Sequence, residues 1–574
     1  MSCSRAMFVV LIAWAQFALA GENTAQPPAP APVIPKGEVA MHVFSNSKIF
    51  PGTERAYWVY IPRQYDPAKP ACLYVSQDGL AWNAPAVFDQ LIQEKAMPVT
   101  VGLFVAPGRV PVTANRAYDR VNRSYEYDAM SDEYVRFLLD ELLPHVVKEH
   151  KLNLSSDGND RAIAGASSGG ICAFTAAWER PDAFRRVFSS IGSFAGFRGG
   201  NAYPTLIRMV EPKPIRIFLQ DGRHDLNIAG GDWWLLNQEI ERAFRFAGYE
   251  VEHAWDEGGH EMTYSAKIFP QAMRWLWKDW PKPVTAGAGS NHHRDILLPG
   301  ETWTPVAQGF HDATGLAVNA HGEVFFNDAP ANKTYKVGLD GKTSVLLADS
   351  NHGAGAAFGP DGRLYTVAAG NAQCVAYDAE GHAKVIADGI RGHGAAVDAK
   401  GNLYVTEPGA SEADGSRVWL VTPAGEKRVV DSGLKVAAGV TFTCDQAFLC
   451  VSDSRTHWVY SYRIEPDGGL ADKQRFYYLH VPDAHDDSGA DGMCVDRNGR
   501  LYVATRLGIQ VCDREGRGTC IIPTPNGKVS GICFGGAAFD TLLATCGDRV
   551  FQRKVKVHGA CAFQPPIPPT ALGL

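Results

Sequence analysis

The sequence predicts two architectures in one chain: a doubly wound, mainly parallel α/β sheet, then an all-β six-bladed propeller. Three observations predict it. Between residues 38 and 281, short apolar runs alternate with amphipathic helical segments. Helical periodicity then stops near residue 300. Beyond that point a glycine-bearing apolar column recurs six times. A chain of 574 residues also exceeds what one hydrophobic core holds, so more than one unit is expected.

The N-terminus comes first in the chain. Arg5 precedes the apolar run Met7–Leu19, and Ala18-Leu19-Ala20 offers a small-residue cleavage pattern. Residues 1–20 therefore read as a secretory signal peptide. The run is short for a membrane span, so a protein exported to a periplasm or secreted is expected, without membrane contact after cleavage. Residues 21–37, "GENTAQPPAPAPVIPKG", have the composition of a Pro/Ala linker. Charged residues make up 20% of the chain and the net charge is −7, with no basic stripe, which argues against a nucleic-acid partner.

The α/β region follows, over 38–281. Strands are expected at 56–62, 71–77, 100–107, 161–166, 214–221 and 249–256, and helices at 132–150 and 234–249. Short apolar strands alternating with helices imply a parallel sheet covered on both faces. The ligand site of such a sheet lies beyond the carboxyl ends of its strands.

Gly165-Ala166-Ser167-Ser168-Gly169 fits G-x-S-x-G between a predicted strand and a predicted helix. A nucleophile on so tight a turn needs small neighbours two residues away. Ser167 would stand above the sheet at a helix N-terminus, whose dipole favours developing negative charge. The Ser168 N–H would be one oxyanion donor. A triad of this kind runs Ser, acid, His along the chain. "LQDGRHDLN" supplies Asp221 and Asp225, and "DEGGHEM" supplies His260. Asp225 is preferred as the acid because Asp221 still belongs to the strand. His224 adjoins the acid and is poorly placed to receive its orienting bond. The second oxyanion donor is expected from "QDGLAW", as the backbone N–H of Asp78 or Gly79.

Residues 38–281 resemble the esterases related to enterochelin esterase and feruloyl esterase, a branch of the α/β-hydrolase fold. "RAYWVYIPRQYDP", "VSQDGLAW", "AGASSGG", "LQDGRHDLN" and "GGHEM" carry the resemblance in the family's order. It implies Ser167 as nucleophile, Asp225 as acid and His260 as base, with Asp78-Gly79 in place of an H-G-type oxyanion motif. It also implies a serine esterase that requires no cofactor. The substrate class spans siderophore esters and plant-cell-wall acyl esters.

Residues 282–300, "KPVTAGAGSNHHRDILLPG", read as a second linker, and 301–574 as the propeller. The repeated column is "TGLAV", "AGAAF", "HGAAV", "AGVTF", "DGMCV" and "SGICF", with glycines at 315, 355, 394, 439, 492 and 531. Their spacings of 40, 39, 45, 53 and 39 residues are those of propeller blades. A second column, as in "GRLYTVA" and "GNLYVTE", marks the next strand. The column resembles SMP-30, gluconolactonase and regucalcin propellers, over roughly 301–560. That resemblance implies a divalent metal on a Glu, an Asn and an Asp, whose positions here hold Thr314, Ala438 and Asp491. Two of those three ligands are missing, so no metal-dependent lactonase is expected. Asp491 and His393 are the channel residues able to ligate a metal, and His311, Asp312, His352, His485 and Asp486 lie near the same rim.

Removing Cys3 with the signal leaves eleven of the twelve cysteines, nine of them beyond residue 370. Cys444/Cys450, Cys512/Cys520 and Cys533/Cys546 flank turns, consistent with disulfides or with buried thiols. "NRS", "NLS" and "NKT" match the N-glycosylation pattern at 122, 153 and 332. The leading expectation is an exported serine esterase acting on small or carbohydrate-linked esters, with a propeller of binding or accessory role. Its rivals are a lactone hydrolase in the propeller and a binding protein built on two degenerate enzyme folds.

Overall fold

A computed structural model describes residues 34–113 and 115–568. The expected signal peptide and most of the Pro/Ala linker lie outside these residues. Eight strands form the first sheet: β1 (Glu38–Phe44), β2 (Arg55–Ile61), β3 (Cys72–Gln77), β4 (Thr100–Val105), β5 (Arg161–Ala166), β6 (Arg186–Ser190), β7 (Arg216–Gly222) and β8 (Glu250–Asp256). Their spatial order is 1-2-4-3-5-6-7-8. β2 pairs antiparallel with both β1 and β4, and every later pairing is parallel. β3 to β7 are buried along their whole length, which is why all but β6 read as largely apolar runs. The sequence expectation missed β1, which alternates poorly, and β6, whose "RVFSS" is short and half polar.

The α-helices of seven residues or more among the described residues are α1 (Ala84–Gln93), α2 (Leu143–His150), α3 (Ser168–Glu179), α4 (Tyr203–Met209), α5 (Trp233–Ala247) and α6 (Thr263–Leu276). They divide between two cores, one on each face. Phe137, Leu142, Phe174 and Phe244 build one; Phe88 of α1 with Phe269 and Met273 of α6 build the other. The helix expected at 132–150 is present with a π segment, Phe137–Leu142. Pro144 has no N–H to offer the carbonyl four residues back, and the helix widens just before it.

Six four-stranded blades follow, the fifth extended by Gly559–Ala560. The blade nearest the C-terminus takes its outer strand, Thr304–Gln308, from the start of the region, paired with Arg549–Lys554. This pairing closes the ring and leaves no open edge between first and last blades. The glycine column has a steric cause. A Cβ on Gly315 would fall on the Ala354 carbonyl, on Gly355 on that of His393, on Gly394 on that of Ala438, and on Gly439 on that of Asp491. Gly492 meets Ser530 in the same way, so five inner strands lean on the backbone of the next blade, while Gly531 is confined first by Thr545 Oγ1 of its own blade and then by Leu316.

The two regions are in contact. Val210 forms a parallel bridge with Ile521, and Glu211 N–H donates to the Ile521 carbonyl at 2.9 Å. Ile521, a propeller residue, is fully buried within the core of the α/β region. Arg553 grips Glu211 through both guanidinium nitrogens, 2.7 Å each. The 282–300 segment, read as a linker, contains a helix, Asn291–Ile296, whose Ser290 capping box fixes its start. Ile296 and Leu297 are buried against the fifth and sixth blades.

Candidate active site

Ser167 separates β5 from α3, with φ 59° and ψ −124°. Such a backbone is strained for any L-residue and persists only where its surroundings hold it. Here they do. Ser167 N–H donates to the Ser190 carbonyl at 2.9 Å, and its own carbonyl accepts from Ser193 N–H at 3.0 Å. A Cβ on Gly165 would fall on the Gly169 carbonyl, so only glycine lets the helix return this close to the strand.

Ser167, Asp225 and His260 come together. His260 Nε2 lies 2.9 Å from Ser167 Oγ, and His260 Nδ1 lies 2.6 Å from Asp225 Oδ1. The Asp225 side chain is fully buried while the His260 side chain is 24% exposed, so of this pair the imidazole is the one open to solvent. Burial alone would raise the Asp225 pKa. Hydrogen bonds from His260, Asp221 and the Leu226 N–H outweigh that and hold it below the ordinary carboxylate range. Asp221, buried behind it, moves the other way: burial and the neighbouring Asp225 charge push it up to about 9. Asp221 Oδ1 accepts from Gly222 N–H at 2.8 Å. Oδ2 of each aspartate is buried without another partner, which one proton held by Asp221 and donated to Asp225 satisfies. His224 points away, 71% exposed beside Glu257.

Of the three proposed oxyanion donors, one is corrected. Gly79 N–H is spent on the Val105 carbonyl at 3.2 Å, because the parallel pairing of β3 with β4 continues past the Gln77–Val105 pair. Asp78 N–H faces only the Tyr127 hydroxyl, at 3.4 Å. Ser168, first residue of α3, has no intrahelical acceptor for its N–H.

Three residues at the site had no motif to announce them. Ser193 Oγ lies 3.2 Å from Ser167 Oγ and accepts from Trp233 Nε1 at 3.2 Å. Arg123 holds the Asp78 carboxylate through two bonds of 2.8 and 2.9 Å and reaches the Ala166 carbonyl at 3.3 Å. One guanidinium thus ties the Asp78 loop to the residue before the serine. Asp128 accepts from Ser168 Oγ at 3.2 Å. Arg123 and Asp128 frame "RSYEYD", a helix of five residues, Arg123–Tyr127, too short to show a period in the sequence.

In the propeller, His393 Nε2 lies 2.9 Å from Asp491 Oδ1 at a 70 Å³ cavity on the channel axis, lined by Thr314, Gly355, Gly439, Gly492 and Ser530. Burial disfavours a charged His393, but the Asp491 bond and charge outweigh it and raise the pKa. The divalent metal implied by the fold family does not fit these residues. Ala438 is buried and has no donor atom, Thr314 offers only a hydroxyl, and one Asp491 oxygen is already engaged by His393. His352 and His311 turn to the Ala329 carbonyl and Asp328 instead. The eleven cysteines of the described residues are free thiols, nine of them buried. No helix among the described residues is long and apolar enough to cross a membrane.

Comparison with known proteins divides the chain in the same way. Residues 47–276 match the family model described as "Putative esterase", and residues 313–547 match the SMP-30/gluconolactonase/LRE-like region. The gluconolactonase of Zymomonas mobilis is 24% identical over 275 residues, 41% of this chain and 76% of that protein. The iron(III) enterobactin esterase of Dickeya dadantii is 27% identical over 245 residues, 39% of this chain. That match spans 52% of the enterobactin esterase, about half its length. Among solved structures, a gluconolactonase from Xanthomonas campestris is 24% identical, covers 45% of this chain and 91% of its own, and aligns with a TM-score of 0.41.

Proposed function

We propose that the protein is an exported serine hydrolase of carboxylic esters, with Ser167 as nucleophile, His260 as general base and acid, and Asp225 as the acid that orients it. The observation that carries this is the chain of bonds from Asp225 through His260 to Ser167 Oγ, 2.6 and 2.9 Å, on a strained strand-to-helix bend. A similar arrangement activates a hydroxyl that is a weak nucleophile at its free pKa.

The steps follow from the atoms present. His260 Nε2 takes the Ser167 proton as Oγ attacks the ester carbonyl, and Asp225 stabilises the imidazolium. The oxyanion is held by the N–H groups of Ser168 and Asp78, the latter exchanging its long bond to Tyr127 for a charged acceptor. His260 then protonates the leaving alkoxide as the C–O bond breaks. Water, deprotonated by His260, attacks the acyl-enzyme, and Ser167 Oγ leaves with the returned proton. Each oxyanion donor contributes about 10²–10³ in turnover.

The substrate class is an ester of a carbohydrate or a related hydroxyl compound. Phe197, an exposed ring packed against the buried Trp233 that meets His260 edge-on, offers a flat apolar face near the site. Similarity to an iron(III) enterobactin esterase supports cleavage of an ester bond. The propeller is assigned a binding or accessory role beside this site.

The test is a panel of acyl-sugar, feruloyl, aryl and lactone substrates on the wild type and on Ser167→Ala, with organophosphate labelling of Ser167. Ser167→Ala is expected to lose about 10⁴-fold or more of ester turnover, and labelling to stop. An unchanged ester rate overturns the proposal. Lactone turnover that survives Ser167→Ala and falls with chelator would move the activity to the propeller. N-terminal sequencing of the exported protein checks cleavage after Ala20.

A further inference from the structure

At the β1 edge of the first sheet, histidines and a glutamate converge outside any chemistry described above. His42 lies on β1, paired in register with Tyr57 of β2. The last turns of α2 bring His145, Glu149 and His150 over it. The Glu149 carboxylate is held on one side only: Tyr57 OH donates to Oε2 at 2.7 Å, and His145 Nε2 lies 3.2 Å from the same oxygen. Its other oxygen, Oε1, faces His42 Nδ1 at 3.4 Å. The His42 ring stacks on Tyr57 and meets the His150 ring edge-on, with centroids 4.8 Å apart. Nε2 of His42 and Nε2 of His150 are both shut off from solvent without a hydrogen-bond partner.

Two buried, unpartnered imidazole nitrogens in one cluster need an explanation. Donor atoms of His42, Glu149 and His150 all lie within 4.8 Å of one another. Bonds of about 2.0–2.1 Å in a tetrahedral site put neighbouring donors roughly 3.4 Å apart, so donor atoms gathered within 4.8 Å need only a small adjustment to meet one ion. Two imidazoles and one carboxylate suit a borderline divalent ion. Bonds from Tyr57 and His145 to the far oxygen are what orients a ligating carboxylate.

We propose that His42, Glu149 and His150 bind a divalent transition metal of zinc type, with the fourth position open to water and Tyr57 and His145 fixing the carboxylate. The ion would clamp the edge strand β1 to the end of α2. A second cluster, Asp378, Glu380 and His382, serves as the internal contrast. It sits on a turn whose Asp378 carboxylate is already filled by the N–H groups of Glu380 and His382 and by the His382 ring.

The experiment uses the full chain, stripped with chelator and dialysed against micromolar zinc chloride, with metal content, calorimetric affinity and the unfolding midpoint as readouts. One zinc per chain is expected, with a midpoint raised by several degrees. His42→Gln and His150→Gln are each expected to weaken zinc binding about tenfold or more, and His382→Gln to leave it unchanged. Ester hydrolysis should be unaffected in His42→Gln. Zinc not retained, zinc retained equally in both histidine variants, or zinc lost in His382→Gln would each overturn the site. Should a histidine variant fail to fold, cobalt loading of the wild type decides: intense tetrahedral absorption supports the site, and weak octahedral bands sink it.

Discussion

Asp221 and Asp225 stand four residues apart at the end of β7, yet their environments drive them to opposite protonation states. Asp221 stays neutral in the folded chain up to about pH 9, whereas in the unfolded chain it ionises near its ordinary value, roughly 3.9. Between those values the native state holds the extra proton, so this residue's contribution makes stability fall as pH rises through the window. Asp221→Asn keeps a donor toward Asp225 and has nothing to ionise. It should gain stability relative to wild type as pH is raised from 5 to 8, read by urea unfolding at both values, and keep ester hydrolysis within about tenfold. A stability difference that does not change with pH would remove the shared proton from the account. Arg123 acts at the same scale. Arg123→Ala frees the Asp78 loop from the Ala166 carbonyl, and kcat is expected to fall about 10–10²-fold with KM little changed. A change in KM alone would make Arg123 a substrate contact.

The bend between β5 and α3 concentrates the steric demands of the first region. Gly165 lets strand and helix approach within backbone contact, Gly169 faces the Asp78 and Gln77 side chains, and Gly170 faces Ser189 Oγ and the Gly192 backbone. Gly165→Ala drives a methyl group onto the Gly169 carbonyl. About 1–3 kcal/mol of stability should be lost in denaturant unfolding, together with ester turnover, because the bend carries Ser167. Full activity in Gly165→Ala would show that the turn is looser than its geometry requires. The propeller obeys the same logic at five of its six column glycines. Its glycine column is a packing rule for inner strands crowded around an axis, and the repeat could be read because every blade meets the same neighbour.

For the whole molecule, the contacts at the joint between regions are expected to couple their unfolding. Ile521 belongs to the propeller by sequence and to the α/β core by burial. Arg553 is only 5% exposed in its side chain, so Glu211→Ala leaves a nearly buried guanidinium unpaired. That change should cost about 2 kcal/mol and split the calorimetric unfolding of the full chain into two transitions. One unshifted transition would show that the regions unfold together for another reason. Closure of the ring by Thr304–Gln308 also belongs to this scale, since it pairs with a strand more than 240 residues later.

Local pattern determined a great deal. Alternating apolar runs specify the layered sheet because buried parallel strands must be apolar on both faces. The G-x-S-x-G bend and the spaced glycines are legible because steric exclusion acts between near neighbours or identical repeats. Tertiary structure decided the rest. It alone gives the Gly79 N–H to Val105, sets Ser193 and Arg123 around Ser167, folds 291–296 into a helix against the propeller, and joins His42 to α2. Each of these depends on which distant segment returns to meet a given residue, and chain return over long separations leaves no period in the sequence.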